Sequence, residues 1–450
     1  MLNAQKQDDT LSSEKSRVLS LDVDFHLKKR EALRELLPDR SVALFFSSPE
    51  KVKSNDVYYP FHQDPNFYYL TGLREADALL IVFKEPFEFG GESIRELIFV
   101  AGRSKTFETW HGVRLGTAGV MSDLNFEKAM LNSEFADIQM DFSYFDYIFY
   151  NLPDGAFFDD VQNRGDIASM LKHFHLKTDS LEKRKNSVKL NSLLYSMREI
   201  KSDEEIELIQ EAVNITCKAQ RTLMQNIDST YTEYKAEAMI EFVFRSEGAK
   251  GPAFPSILGG GENSCTLHYI TNNGDLQNGD LLVVDIGAEY ESYASDITRT
   301  IPISGKFSEE QAEIYNIVLK AQEAGIEECK PGVKFWEPGE AAVREIQKGL
   351  LKLGIIKRAY QYKKYFMHGT SHYLGLDVHD LGSYEPLKAG NVITVEPGIY
   401  IPEGSPCDEK WWNIGIRIED DVLISNDTPE VLSECVPKKL LEIEAIMEKK

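Results

Sequence analysis

The chain has 450 residues, with 50 Lys and Arg against 73 Asp and Glu, for a formal net charge of −23. That balance opposes binding to nucleic acid or to anionic membranes, while 42% hydrophobic residues is ample for sizeable cores in two or three domains. No apolar stretch reaches membrane-spanning length, and the opening MLNAQKQDDTLSSEKSR lacks the apolar core of a signal peptide.

In chain order, residues 1–40 read as a flexible or peripheral segment. From 41 to about 152, short strand-like runs at 42–46, 78–83 and 96–100 alternate with helical stretches, which predicts an α/β amino domain extending to 190. His62, in PFHQDPNF, reads as structural or substrate-lining, and His173 and His175, in LKHFHLK, as a solvated pair alternating along a strand or loop. A helix begins around 191–205, where Ser202 and Glu205 have capping-box spacing ahead of the periodic run Ile206, Ile209, Ala212 and Val213. The second domain is therefore taken as 191–450. Gly259, Gly260 and Gly261 have no Lys-Ser/Thr after them and read as a loop, not a phosphate cradle. Helix signals at 232–245, strands through 300, helices near 308–329 and 338–353 and then more strands suggest helix–helix–sheet arranged twice. The five cysteines, Cys217, Cys265, Cys329, Cys407 and Cys435, lie far apart without a C-x-x-C. An odd count argues against a complete disulfide framework, and reduced thiols in a cytoplasm are expected.

Chemistry concentrates in the second domain. Residues 281–301, LLVVDIGAEYESYASDITRTI, predict a β-hairpin with a polar turn around 289–291. Asp285 and Asp296 are symmetric about that turn and are expected to face one another across the ladder. Alone, such a pair is usually a solvated surface pair. Val283, Val284 and Ile286 make the first strand almost continuously apolar, however, and buried carboxylates need a partner or a metal. Residues 366–380, FMHGTSHYLGLDVHD, hold His368, His372 and His379, three of the nine histidines in the chain. NVITVEPGIYI places Glu396 at the end of an apolar strand, immediately before a Pro-Gly turn. NIGIRIEDDVLI alternates with period two, so Arg417 and Glu419 point the same way, opposite Ile414, Ile416 and Ile418. By itself that segment would be a surface Arg–Glu pair. The acidic runs at 202–207 and 419–421 read as a helix start and a site edge. Four carboxylates and one imidazole suit two divalent ions, Mn²⁺, Fe²⁺, Co²⁺ or Zn²⁺. Such ions, roughly 3.5–4 Å apart, clamp a bridging water or hydroxide, and hydrolysis is the natural consequence.

The run HYITNNGDLQNGDLLVVDIGAEYESYASDITRT and the segments HGTSHYLGLDVHD, ITVEPGIYI and GIRIEDD resemble the successive signatures of the pita-bread metallopeptidases, specifically aminopeptidase P. Upstream, PFHQDPNFYYLTG and WHGVRLG are similar to amino-domain segments of the bacterial enzymes. The resemblance implies an α/β (α+β) chain, an α/β amino-terminal domain followed by a pita-bread catalytic domain. It implies that Asp285 binds one metal, that Asp296 and Glu419 bridge both, and that His372 and Glu396 complete the other, with Mn²⁺ as the expected ion. The implied activity is hydrolysis of the N-terminal Xaa-Pro bond in peptides with proline second. A metal-bridging water attacks, and Glu396 carries the proton to the leaving nitrogen. His268 would hydrogen-bond the carbonyl oxygen as it becomes an oxyanion. His368 and His379 would contact substrate beyond the cleaved bond, Arg417 would steady the charge network, and Tyr400 would line the pocket. Trp110 would come from a neighbouring subunit of a homodimer or homotetramer. Proline dipeptidases carry similar blocks but commonly place a longer insertion between the two glutamates, and often Gly where Ser371 precedes His372. A non-catalytic pita-bread module binding peptides or proteins, or a metal-free creatine hydrolase, is disfavoured by the five intact ligands. A methionine aminopeptidase is disfavoured by the large amino domain.

Overall fold

The structure, a computed structural model, describes residues 20–153 and 163–448. The expectation of a flexible tail over 1–17 lies outside them. Part of the segment read as flexible or peripheral is a core element: Val23–Leu36 is a helix, capped by Asp22, whose carboxylate accepts from the Phe25 amide at 2.8 Å. Its Arg30 is fully buried and donates to Glu96 at 2.9 Å and to the Leu70 carbonyl at 2.9 Å. A buried cation with its donors this well satisfied ties the helix to the domain behind it.

That domain is built on a five-stranded mixed sheet, in the spatial order Ala129–Leu131, Glu92–Val100, Leu79–Phe89, Ser41–Phe46, Tyr147–Tyr150. Period-two alternation sends Val42, Leu44 and Phe46 into one apolar cluster and Ala43 and Phe45 into another. Both faces are covered, which is why the central strand Ser41–Phe46 is buried throughout. The first cluster is closed by the helix Ile167–Thr178, through Ile167, Met170, Leu171 and Phe174. His173 and His175 therefore lie on the polar side of a helix, not on a strand or loop. The 3–4 residue spacing of those four apolar residues outweighs the local His-x-His alternation.

The connection to the second domain is two helices, Ser187–Arg198 and Asp203–Asn226, so the boundary placed at 190/191 falls inside the first of them. Ser202 and Glu205 form the expected capping box on the second. Then the pattern of two helices and antiparallel strands runs twice. Asp203–Asn226 and Glu233–Ser246 precede the hairpin Leu281–Ile286 and Ile297–Pro302; Glu309–Glu327 and Glu337–Lys352 precede the strands Val392–Val395, Gly398–Ile401, Ile414–Arg417 and Asp420–Leu423. Gln220 fixes the first helix to the hairpin by donating to the Val284 and Ile297 carbonyls, at 3.0 Å each.

The hairpin register differs from the expected symmetry. Asp285 pairs with Thr298, and Ile286 with Ile297. Asp285 and Asp296 are thus diagonal neighbours on one face, not direct partners. The reason is the turn, which is centred on Glu291 and Ser292 with φ of 47° and 73°, between the paired Tyr290 and Tyr293. Positive φ at both central residues gives the two-residue hairpin twist. Gly287 is required beside it, since a Cβ there would lie 1.8 Å from the Ser295 carbonyl oxygen.

The cysteine reading is also corrected. Cys217, on the Asp203–Asn226 helix, is disulfide-bonded to Cys435, while Cys265, Cys329 and Cys407 are free. A sequence separation of 218 hides the pairing, because only the folded domain brings the carboxy-terminal segment back across that helix. Among the described residues no helix is long and apolar enough to cross a membrane.

Candidate metal centre

All five predicted ligands converge. Asp285 comes from the first hairpin strand and Asp296 from just before the second. Glu396 sits in the turn between Val392–Val395 and Gly398–Ile401, and Glu419 between Ile414–Arg417 and Asp420–Leu423. Asp296, His372 and Glu419 each present a ligand atom within 4.8 Å of the others. His372 Nε2 is 3.5 Å from Asp296 Oδ2 and 3.8 Å from Glu396 Oε1. Asp285, Asp296 and Glu419 are buried, and Arg417 is the cation among them, with Nη2 2.6 Å from Asp285 Oδ2.

The hydrogen bonds show what this cluster lacks. His372 Nδ1 lies 3.1 Å from the Tyr373 carbonyl oxygen, which can only accept, so Nδ1 carries the proton. In the neutral ring Nε2 then turns a lone pair towards two carboxylates. Burial pushes the His372 pKa down to about 4, so the ring stays neutral near pH 7. Oδ1 of Asp285 and Oδ1 of Asp296 are buried without a hydrogen-bond partner. Burial first, then neighbouring carboxylates, pushes Asp296 and Glu396 well above the usual carboxylate range, and Glu419 up to about 8. Lone pairs facing lone pairs in a buried pocket need protons or cations between them, and raised carboxylate pKa values mark the place of the cations. The donor set, oxygen-rich with one imidazole, fits two divalent ions.

Around the ligands runs a relay of neutral and charged donors. Arg417 Nη1 donates to Tyr400 Oη at 2.9 Å, leaving the Tyr400 hydroxyl to donate to His368 Nε2 at 2.9 Å. His368 Nδ1 then donates to the Gly369 carbonyl at 2.7 Å and lies 3.6 Å from Glu396 Oε2. His379 packs edge-on against His372, with ring centroids 4.4 Å apart. His268 is exposed and lies near His368, whose pKa is pushed down to about 4 by burial and then by Arg417. Trp110 stands apart: it is 82% exposed on the short helix Lys105–His111, and no hydrogen bond or ring contact joins it to the cluster.

Several supporting residues were not legible as such. Thr298 donates to Glu419 Oε2 at 2.7 Å and accepts from Arg417 Nε at 3.2 Å. Its period-two relation to Asp296 was the available signal. The loop carrying His372 and His379 is held by Asp380, which is buried against Arg198 and accepts from Lys201 Nζ at 2.9 Å. Gly375 must lack a side chain here, because a Cβ would lie 2.2 Å from Asp380 Oδ2. Asp421 accepts the Asp296 amide at 3.1 Å, so this member of the 419–421 run supports a ligand's backbone.

Residues 207–426 match the model of metallopeptidase family M24, and residues 26–143 match the aminopeptidase P N-terminal domain. A Xaa-Pro aminopeptidase of Haemophilus influenzae is 37% identical over 94% of this chain and 97% of its own. The chain belongs to metallopeptidase family M24. Its fold is that of solved aminopeptidases in the family. The Pseudomonas aeruginosa enzyme superposes with a TM-score of 0.86 at 33% identity, covering 95% of this chain and 98% of that one. Zinc-substituted Escherichia coli aminopeptidase P in complex with product gives 0.84 at 34% identity, over 95% and 98% of the two chains. The amino-terminal family match begins at residue 26, inside the helix Val23–Leu36, in keeping with that helix being part of the domain.

Proposed function

We propose that this M24 enzyme is a dinuclear metal-dependent aminopeptidase that hydrolyses the N-terminal Xaa-Pro bond. The observation that carries the reading is the convergence of the His372 Nε2 lone pair with the unpartnered Asp285 and Asp296 oxygens in one buried pocket. Asp285, Asp296, His372, Glu396 and Glu419 would hold two ions, and Mn²⁺ suits the carboxylate-dominated set. When bound, the ions supply Lewis-acid polarisation and lower the pKa of a water.

The chain's own groups do the rest. Glu396 accepts the proton of the attacking water and delivers it to the leaving proline nitrogen, so the C–N bond breaks to a neutral amine. A Xaa-Pro amide has no N–H, so an acid that reaches the nitrogen itself replaces recognition of a backbone donor. His268 would hydrogen-bond the carbonyl oxygen as it gains charge. His368 and His379 flank the ligands and contact the residues beyond the cleaved bond. Arg417 fixes Asp285 on one side and Tyr400 on the other, which holds the pocket wall in one geometry. Asp285 lies where the substrate's free amine is received, limiting cleavage to one residue.

The 82% exposure of Trp110 and 76% exposure of Val113 support a homodimer or homotetramer in which a second copy covers this edge. In the cytoplasmic location proposed for the chain, the Cys217–Cys435 pair would meet reducing couples, and it is the feature that weighs against that location. The deciding experiment compares a Xaa-Pro-Yaa tripeptide with a Xaa-Pro dipeptide, using the Mn²⁺-loaded protein and a chelated control. Chelator-sensitive release of the first residue from the tripeptide, with the dipeptide much slower, is expected. Dipeptide preference would make the enzyme a proline dipeptidase, and inactivity on both would return it to a binding role.

A further inference from the structure

A groove of about 840 Å³ lies beside the carboxylate pocket. One wall is the helix Glu337–Lys352, through Arg344 and Gln347; the other is the segment 362–371, through Tyr362, Lys363 and Met367. Its inner end is His368 to Ser371, and the Thr370 carbonyl there accepts the Glu396 amide at 2.9 Å. The groove therefore ends at His368, whose Nδ1 lies 3.6 Å from Oε2 of the proposed catalytic glutamate.

Its charge runs against that of the molecule. In a chain of net charge −23, Arg344 and Lys363 line this groove, and Lys334, Lys357, Arg358 and Lys364 are exposed within five residues in sequence of its lining residues. Among the described residues none of the six is in an ion pair, whereas Lys218, Lys348 and Arg164 on other surfaces are paired with Glu247, Glu345 and Asp137. The acids on the adjoining helix are Glu337 and Glu340 at its first turn, Glu340 lining the groove, and Glu345, which is paired with Lys348. Large apolar groups are exposed with the cations: Trp336 at 56%, Tyr360 at 63% and Met367 at 51%. Exposed cations outside any ion pair add little to folding stability, and Arg344 and Lys363 with their neighbours fit an anionic ligand.

We propose that this groove is a subsite for an acidic stretch of the peptide substrate, downstream of its proline. The inference rests on the aminopeptidase reading. An aminopeptidase places one residue on the amino side of the cleaved bond, so a groove of this size leaving the site can only take chain on the carboxyl side. A single side chain at the first position would leave most of it empty. The aromatic groups supply contact area and the cations supply charge complementarity, with screening by salt as the signature.

The test uses the full-length Mn²⁺-loaded protein with Ala-Pro-Gly-Gly-Glu-Glu-Glu-Glu, its Lys counterpart and the tripeptide Ala-Pro-Gly. At low ionic strength the KM for the Glu peptide is expected to be on the order of tenfold below that for the Lys peptide, and the gap should close in high salt. In the variant carrying Arg344→Glu, Lys363→Glu and Lys364→Glu, the ratio of kcat/KM for the Glu peptide to that for the tripeptide should fall by a similar factor. A second readout is independent of turnover. Dye-labelled Gly-Gly-Glu-Glu-Glu-Glu should raise its fluorescence anisotropy with the metal-free protein and not with the variant. Equal KM values, a preference for the Lys peptide, or an unchanged ratio in the variant would overturn the proposal. If the tripeptide is not cleaved by either protein, the aminopeptidase reading fails, and the anisotropy measurement still decides the groove.

Discussion

Glu419 and Asp420 are neighbours in sequence, and both are buried, yet their surroundings are opposite. Asp420 accepts from Arg299 Nη2 at 2.7 Å and from Lys438 Nζ, Gln322 Nε2 and Ser433 Oγ at 2.6 Å each. Burial raises its pKa, but Arg299 and then Lys438 outweigh burial and hold it down at about 2. Glu419 shares its pocket with three other carboxylates and one arginine and is pushed up to about 8. The fold has solved the burial of Asp420 with its own donors, whereas the carboxylates around Glu419 are arranged for a charge the chain does not supply. Burial alone therefore does not mark a functional acid. Several buried acids converging with too few donors do.

The largest test of that contrast is Asp296→Asn. Metal content and kcat/KM should fall by more than the roughly 10–100-fold that follows loss of an outer-shell partner. Stability should move in opposite directions with and without metal. In chelated protein the substitution removes one of four crowded carboxylates whose ionisation burial opposes, and the unfolding midpoint is expected to rise; in Mn²⁺-loaded protein it removes a ligand, and the midpoint should fall. A fall in both conditions would mean that Asp296 is structural, as Asp420 is.

For Asp420→Asn the same pair of measurements should agree. Arg299 is fully buried and also donates to the Glu419 carbonyl at 2.6 Å, so losing its counter-charge leaves a cation stranded behind the metal ligand. A loss of about 3–5 kcal/mol is expected, with or without metal, in denaturant unfolding. A dependence on metal would show that the two acids are not separable.

How much of this contrast was legible follows from what each half rests on. The ligands were, because carboxylates and histidines at the ends of apolar strands break the local pattern: Glu396 before its Pro-Gly, and Glu419 in phase with Arg417. The diagonal placement of Asp285 and Asp296 was not, since Glu291 and Ser292 are unusual residues for a turn with two positive φ angles. The supports were least legible. Arg198 and Asp380 are 182 residues apart, and Asp420 and Arg299 121 apart, and each member alone reads as an ordinary surface charge. Residues 23–36 were lost to the polar tail before them, although Arg30 and Leu33 lie on one buried face.

A third test concerns how the support around Asp420 is anchored. Lys438 and the Val436 carbonyl, both bonded into the Arg299–Asp420 network, follow directly on Cys435. The Cys217–Cys435 bond therefore staples that network to the Asp203–Asn226 helix. Cys217→Ser, or reduction of the wild type, should cost about 2–4 kcal/mol. Thiol titration of the unfolded, unreduced protein should find Cys265, Cys329 and Cys407 only. If all five react, the pair is not formed in that preparation, and Cys217→Ser should then be close to neutral.

The acid limb separates Asp420 from its neighbour once more. Its folded pKa of about 2 lies below the ordinary carboxylate value of 3.8, so the charged form is stabilised by folding. That contribution is fully present above about pH 4–5 and is lost as the pH falls towards 2, in all on the order of 2 kcal/mol. The stability difference between wild type and Asp420→Asn should therefore be constant from neutral pH down to about 5 and shrink below that. A difference that stayed flat to pH 2 would assign the effect to packing and leave the charge of Asp420 without a role.

The smallest effect on stability, and the one that tests how far the site extends beyond a single chain, is expected at Trp110. At 82% exposure its replacement by Ala should change unfolding stability by less than about 0.5 kcal/mol. Within one chain it touches none of the ligands, so an isolated subunit should keep its kcat/KM. A rise in KM in Trp110→Ala, with stability and metal content unchanged, would require a second copy to bring Trp110 to the pocket, and light scattering should then find the wild type as a dimer or tetramer. No change in KM in such an oligomer would leave the carboxylate cluster, the histidines and the adjoining groove of one chain as the whole of the site.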